Sequence, residues 1–199
     1  MSSSHPVFIY IFYNFAFMKK QLIKIIFLLS IFTSETIAQK VIFTFNNDVN
    51  LNDWVIVNDN VMGGVSNSKL IINKSGNGVF FGNISTAYNG GFASVRYNCK
   101  RKYINEYKSV ILRIKGDKKE YQLRLKSSAE DYHSYIYPFK TSGDWELITI
   151  PLNEMYASFR GRRLNMKNFN ENYLEQITIL IGNKRNENFN LLIDSIILE

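Results

Sequence analysis

The chain has 199 residues, 46% hydrophobic and 21% charged, with a formal net charge of +7 at neutral pH. This composition excludes a disordered, collagen-like or low-complexity chain and is enough for one well-packed domain. Its single cysteine, Cys99, excludes an intrachain disulfide, and a domain of this length can stand on its core without one.

In chain order, the first feature is a leader. From Met18 the sequence reads MKKQLIKIIFLLSIFTSETIAQK. Lys19, Lys20 and Lys24 form a basic start, Ile25 to Phe32 a short apolar run, and Thr36-Ile37-Ala38 a small-residue cleavage pattern. This is the layout of a secretory signal peptide. Residues 1–17 lack a basic start, so Met18 is the expected true start. An uncut anchor is disfavoured, because the apolar run is about eight residues against the roughly 20 that span a bilayer. A mitochondrial presequence is disfavoured by the lack of Arg and by Glu35. The expected organisation is an extension plus signal peptide over 1–38 and one exported domain over 39–199, periplasmic or secreted and bacterial. Membrane contact is expected only through an uncleaved signal segment.

Beyond the leader, short apolar runs and alternations predict strands. They are Val41–Phe45, Trp54–Val57, Lys69–Asn73, Val79–Ile84, Phe92–Tyr97, Ser109–Lys115, Tyr121–Lys126, Tyr132–Phe139, Trp145–Leu152, Gln176–Ile181 and Asn190–Leu198. Lys74-Ser75-Gly76-Asn77-Gly78 and Gly116-Asp117-Lys118-Lys119 read as hairpin turns. Lys100-Arg101-Lys102 reads as an exposed turn. Helical periodicity is almost absent, apart from one possible turn at Asn170–Glu175. The longest irregular stretch is Asn153–Glu175, a length often functional in a compact domain. About ten strands at this spacing predict an all-β, antiparallel sandwich or barrel.

Catalytic and metal chemistry find little support. His133 is the one histidine beyond the leader, it lies in a strand-like run, and no nucleophile elbow accompanies it. One His and one Cys make a zinc site unlikely in kind, and no phosphate-binding loop is present. No catalytic residue, metal or cofactor is therefore expected. Cys99 reads as a buried small hydrophobe. The modest charge and the lack of stacking aromatics argue against nucleic acid.

Three stretches stand out. In NDNVMGGVS, Asp59 and Ser66 can fix a turn around Gly63-Gly64, with Val61, Met62 and Val65 expected to fold inward. Gly90-Gly91-Phe92-Ala93-Ser94 is a second glycine corner, expected beside the first at one end of the sandwich. Phe159-Arg160-Gly161-Arg162-Arg163 supplies planar cations for a carboxylate or phosphate, or for an internal acid such as Asp59.

These motifs, with IKGDKKEYQLRLK and the Trp145 strand ending at Pro151-Leu152, resemble the complex I intermediate-associated protein 30 family from about Phe43 to Ile197. The resemblance implies a galactose-binding-like jelly-roll sandwich. It also implies a role without chemistry, since mitochondrial members act as assembly factors that hold partly built respiratory complex I. The family's motif positions fall on Asp59, Met62, Gly63, Gly64, Ser66, Gly90, Gly91, Phe92, Ser94, Gly116, Asp117, Tyr121, Arg160, Gly161 and Arg162. Asn60 and Lys118 depart from it, since the family commonly has Gly at both, and Lys118 implies a different turn. The expected function is a non-enzymatic protein-binding module, chaperone-like or scaffolding, with an unidentified protein partner. The alternative is an exported sandwich that binds a carbohydrate or small ligand. Asp59 and Gly63-Gly64 are expected near both the second glycine corner and the arginine loop.

Overall fold

The computed structural model describes residues 39–199, together with Lys19 and Lys20. Apart from those two lysines, the leader's basic start, apolar run and cleavage pattern lie outside the described residues. The chain divides into two units, Met1–Ile37 and Ala38–Glu199, and the fold belongs to the second.

Among the described residues, thirteen strands rather than about ten form two sheets whose pairings are all antiparallel. The six-stranded sheet holds β1 (Lys40–Thr44), β3 (Asn67–Ile72), β4 (Gly78–Ile84), β6 (Ser109–Lys115), β9 (Trp145–Pro151) and β13 (Glu187–Leu198). Its order is β3-β4-β13-β6-β9, with β1 also paired to β13. The seven-stranded sheet holds β2 (Trp54–Asn58), β5 (Ala93–Tyr103), β7 (Glu120–Lys126), β8 (Ser134–Lys140), β10 (Tyr156–Phe159), β11 (Arg162–Arg163) and β12 (Tyr173–Ile181). Its order is β11-β10-β8-β7-β12-β5-β2. This is the all-β antiparallel class predicted from the alternation of residues, in the jelly-roll form that the resemblance implies.

The core lies between the sheets. Tyr121, Leu123 and Leu125 of β7 and Ile177, Ile179 and Ile181 of β12 meet Leu112 and Ile114 of β6 and Leu191 and Ile193 of β13, all at most 1% exposed. Period-2 alternation puts these residues on one face of each strand. Each buried aliphatic side chain contributes roughly 1.5–3 kcal/mol relative to exposure.

Four expectations are corrected. The stretch Asn153–Glu175 is not wholly irregular. It contains β10 and β11, four and two residues long, too short to show an alternation. Asn170–Glu175 forms no helical turn, because Tyr173 already pairs with Tyr103 in the ladder and meets its ring edge-on at 5.5 Å. Lys100-Arg101-Lys102 continues β5, and Arg101 sits 4.0 Å from the centre of the Tyr173 ring. Gly116–Lys119 does not close a hairpin, since β6 and β7 belong to different sheets.

That last point sets the geometry of one end of the sandwich. The chain crosses between sheets after β2, β4, β6, β8 and β12. Asn58 pairs with Ala93 and Ala93 with Ile181, while Glu120 pairs with Lys140, so these five crossings lie at one end and the other three, after β1, β5 and β9, at the opposite end.

Candidate functional site

Asp59 follows β2, opens a 3-10 turn over Asp59–Met62, and is 0% exposed. Its Oδ1 accepts from the Ser66 N–H at 2.9 Å. Its Oδ2 accepts from Ser66 Oγ at 2.5 Å, the Gly91 N–H at 2.6 Å and the Phe92 N–H at 3.3 Å. Burial by itself pushes this carboxyl up, but the bonds from Ser66, Gly91 and Phe92 outweigh it, and its pKa lies below the ordinary value. Ser66 Oγ in turn accepts from the Ser85 N–H at 3.0 Å.

The glycines follow from that carboxylate. A Cβ on Gly64 would stand 2.4 Å from the Asp59 carboxyl carbon, and one on Gly90 would stand 2.6 Å from its Oδ2. Gly63 has open space around it, but its φ of +90° is left-handed and favours glycine. The two glycine corners are thus side by side, as expected, because one buried anion is wrapped by both. Asn60 needs no left-handed backbone; the turn takes it at Gly63 instead.

Similar bonds stitch the remaining crossings together. The Thr86 N–H donates to Asn186 Oδ1 at 2.8 Å, joining the crossing after β4 to that after β12. Asn183 Nδ2 donates to the Glu120 carbonyl at 3.2 Å. The Thr141 N–H donates to the Lys119 carbonyl at 3.0 Å, joining the crossings after β8 and β6. Asp117 accepts from Tyr121 OH at 2.9 Å and from the Asn190 N–H at 2.9 Å, and pairs with Lys119 Nζ at 2.7 Å. Burial and then the neighbouring Asp117 charge push the Tyr121 hydroxyl pKa far up. Lys118 takes a φ of +67°, a left-handed backbone that glycine adopts more easily.

The arginine loop lies elsewhere. Arg160 and Gly161, with φ of +48° and +76°, form the two-residue turn between Phe159 and Arg162, which pair across the β10–β11 hairpin. Two positive φ values in a two-residue loop are the type I′ signature. This hairpin ends the seven-stranded sheet at the edge opposite β2, with β10 five and β11 six strand spacings away, roughly 24–29 Å along the sheet. It also lies at the other end of the strands, since Ser158 pairs with Ser134 while the crossings sit beyond Lys140. Arg160 and Arg162 do not reach Asp59. The expected gathering of all three motifs is corrected: the two glycine corners meet, and the arginine hairpin stands apart.

The inward folding of Val61, Met62 and Val65 is also corrected. They are 68%, 63% and 54% exposed, and Tyr88, in the neighbouring crossing, is 75% exposed with a φ of +53°. The interior of this corner is taken by the Asp59 carboxylate, which leaves the apolar residues outside. Phe92 is half-buried. Ser94 is buried and its hydroxyl donates to the Val57 carbonyl at 2.6 Å.

Known proteins match this arrangement. The family model described as complex I intermediate-associated protein 30 (CIA30) matches residues 43–193. The chain belongs to the CIA30 family. No curated protein sequence matches it. Among solved structures it is similar to the family 11 carbohydrate-binding module from Clostridium thermocellum in complex with a β-1,3-1,4-mixed-linked tetrasaccharide. That match has a TM-score of 0.62 and 15% identity, and covers 82% of this chain and 96% of that one. The family 11 module of the cellulosomal cellulase Lic26A-Cel5E of the same organism gives 0.62, 15%, 82% and 95%. A family 29 carbohydrate-binding module gives 0.51, 10%, 81% and 91%. Likeness at these identities shows a shared fold.

In this CIA30 member Asp59, Ser66, Gly91 and Phe92 of the signature are therefore folded into crossing-to-crossing bonds. Two further regions were not legible as sites. His133 lies between the Tyr132 and Tyr135 rings at 5.0 and 5.2 Å, and neither ring nitrogen has a hydrogen-bond partner. Cys99 is half-buried against the core, and burial raises its thiol pKa. The second region is the outer face of the seven-stranded sheet. Val55, Arg96, Thr178, Arg124, Ile136 and Tyr156 form one continuous cross-strand row there, from β2 to β10. The only sequence signal for it was the alternation in YQLRLK, which put Gln122, Arg124 and Lys126 on the face away from the core. Among the described residues no group of His, Cys, Asp and Glu is placed to hold a metal, and no helix is long and apolar enough to cross a membrane.

Proposed function

We propose that this CIA30 domain is a non-catalytic binding module whose partner is a protein docked on the braced end of the sandwich. The observation that carries the reading is the exposure of Val61, Met62, Val65 and Tyr88 on two crossings that Asp59 locks together. Exposed apolar side chains on a rigid support lose little further entropy on docking. A scaffold or chaperone-like part in assembling a respiratory complex is the form of this reading that the family name suggests. From the signature the reading keeps Met62 as a contact residue; Asp59, Gly63, Gly64, Ser66, Gly90 and Gly91 support the surface from beneath. Export through the leader belongs to the same proposal, and N-terminal sequencing of the native protein should begin at Gln39.

The test is cross-linking and capture from the native envelope fraction with the full chain. A discrete protein should be retained by the parent and lost with Met62→Ser plus Tyr88→Ser at unchanged melting temperature. Retention by the double variant would sink the proposal.

A second reading is a carbohydrate-binding sandwich. The observation favouring it is the outer face of the seven-stranded sheet, where Asn98, Gln122, Gln176 and Tyr156 stand beside arginines that form no ion pair with any described residue. Amides and phenols match sugar hydroxyls, and the known structures similar in fold include a module with a bound tetrasaccharide. Thermal-shift screening against common polysaccharides tests it: no response to any of them ends this reading.

A further inference from the structure

The outer face of the seven-stranded sheet carries two arginines, Arg96 and Arg124, that pair with no described carboxylate, while Glu120 is the acid at the far end of the same β7 row. Arg96 makes no hydrogen bond and no ion pair with any described residue, although it is half-buried. Arg124 stands two strands away across Thr178, which is 6% exposed. Their backbones are thus about 10 Å apart, a gap that two arginine side chains close. Arg124 directs Nε and Nη2 to Gln122 Oε1, at 3.1 and 2.7 Å, and has no carboxylate partner. Burial, and then the like charge of Arg96 against the opposing effect of Tyr156, lowers its pKa to about 10. Burial also lowers the Arg96 pKa.

The cationic surface continues along β7. Lys126 lies on the same face and donates to the carbonyls of Ala129 and Asp131. Gln122, which holds Arg124, also lines a cleft of about 680 Å³ whose cations outnumber its one acid, Glu120, and which includes Lys118, Lys140 and Lys184. These three lysines form no ion pair with any described residue. From Lys118 to Lys126 the strip runs roughly 25 Å along the strand. Burying unpaired guanidinium groups is costly unless a ligand supplies the charge. A strip of spaced cations, flanked by amides and a tyrosine held under Arg163 at 4.7 Å, fits a linear ligand with repeated carboxylates and many hydroxyls.

We propose that this face binds an acidic polysaccharide, a polyuronate, with Arg96 and Arg124 forking onto a carboxylate and the Lys118, Lys140 and Lys184 cleft holding the chain further along. This rests on the carbohydrate reading and narrows it to one ligand class. It is independent of protein docking at the glycine corners.

The experiment is calorimetric titration of the full chain with oligogalacturonate, its fully methyl-esterified form, a neutral mixed-linked glucan and poly-L-glutamate. Oligogalacturonate should bind, and esterification should abolish binding. Arg96→Gln and Arg124→Gln should each weaken it about tenfold at unchanged melting temperature, with Arg96→Lys in between because it keeps charge but loses the fork. Equal binding of ester and acid, or of neutral glucan, would overturn the acidic ligand and leave the carbohydrate reading standing. No binding of any glycan would remove both. Binding of poly-L-glutamate as tightly as oligogalacturonate, or unchanged binding by the two Gln variants, would overturn the proposal as well.

Discussion

Asp59 and Arg96 sit at opposite poles of the same problem. Both are charged groups drawn partly or wholly out of water, and their strands pair as neighbours, β2 against β5. Asp59 accepts four hydrogen bonds and is sealed. Arg96 has none from the described residues. The difference teaches that the residues most diagnostic of the family are those whose valences the fold itself consumes. Open hydrogen-bonding capacity is found instead on a strand face that carries no signature.

The sharpest way to break the comparison is to unseal Asp59. Asp59→Asn keeps one acceptor oxygen and puts an NH2 donor in place of the other, facing either the Ser66 N–H at Oδ1 or the Gly91 and Phe92 N–H groups at Oδ2. Denaturant unfolding should show a loss of about 3 kcal/mol, since a buried set of charge-assisted bonds is left mismatched. The same carboxylate predicts a pH window. Its folded pKa is depressed, so its contribution is complete above the unfolded value of 3.8 and is lost as pH falls through the lower folded value. Acid titration of stability should therefore be less steep below about pH 4 in Asp59→Asn than in the parent.

Next in size is Gly64→Ala. The added carbon would meet the Asp59 carboxyl at 2.4 Å, and the forced backbone shift should cost about 2 kcal/mol. Gly63→Ala meets no atom within 4 Å, so only its left-handed φ counts, and about 1 kcal/mol should be lost. If the two losses measured by thermal unfolding are equal, the carboxylate contact is not what selects glycine at 64. At the far edge, Gly161→Ala tests the type I′ turn and should also cost about 1 kcal/mol. Its effect should be confined to amide exchange in Tyr156–Arg163. Smallest of all, Arg96→Gln should leave stability unchanged within about 0.5 kcal/mol or raise it slightly, because it removes a half-buried cation that nothing pairs. A large destabilisation would mean that Arg96 serves the fold after all, and would bring it to the same side of the comparison as Asp59.

How far the sequence could be read depended on the range of the forces involved. Strand positions follow from side-chain alternation, which is local, and eight of the eleven predicted runs lie within two residues of the observed strands at both ends. β10 and β11 were missed because two to four residues carry no period. The Gly116–Lys119 error has a different origin: hairpins and sheet-to-sheet crossings use the same turn chemistry, and only the partners of β6 and β7 distinguish them. The adjacency of the two glycine corners was legible from their similar composition. The outward exposure of Val61, Met62 and Val65 was not, because it depends on which side chain occupies the interior, and an aspartate took that place.

By itself, the sequence determined the all-β class, most strand positions, and membership of a family whose signature it carries in order. Those properties are written in alternation, turn residues and spacing along the chain. Only the tertiary structure decided that the signature's Asp59 ties two crossings together, that the arginine hairpin stands at the opposite edge, and that Arg96 and Arg124 share one face with Thr178 between them. Each of these depends on residues far apart in the chain meeting across sheets. No local pattern encodes which donors will saturate a carboxylate and which cations will be left open.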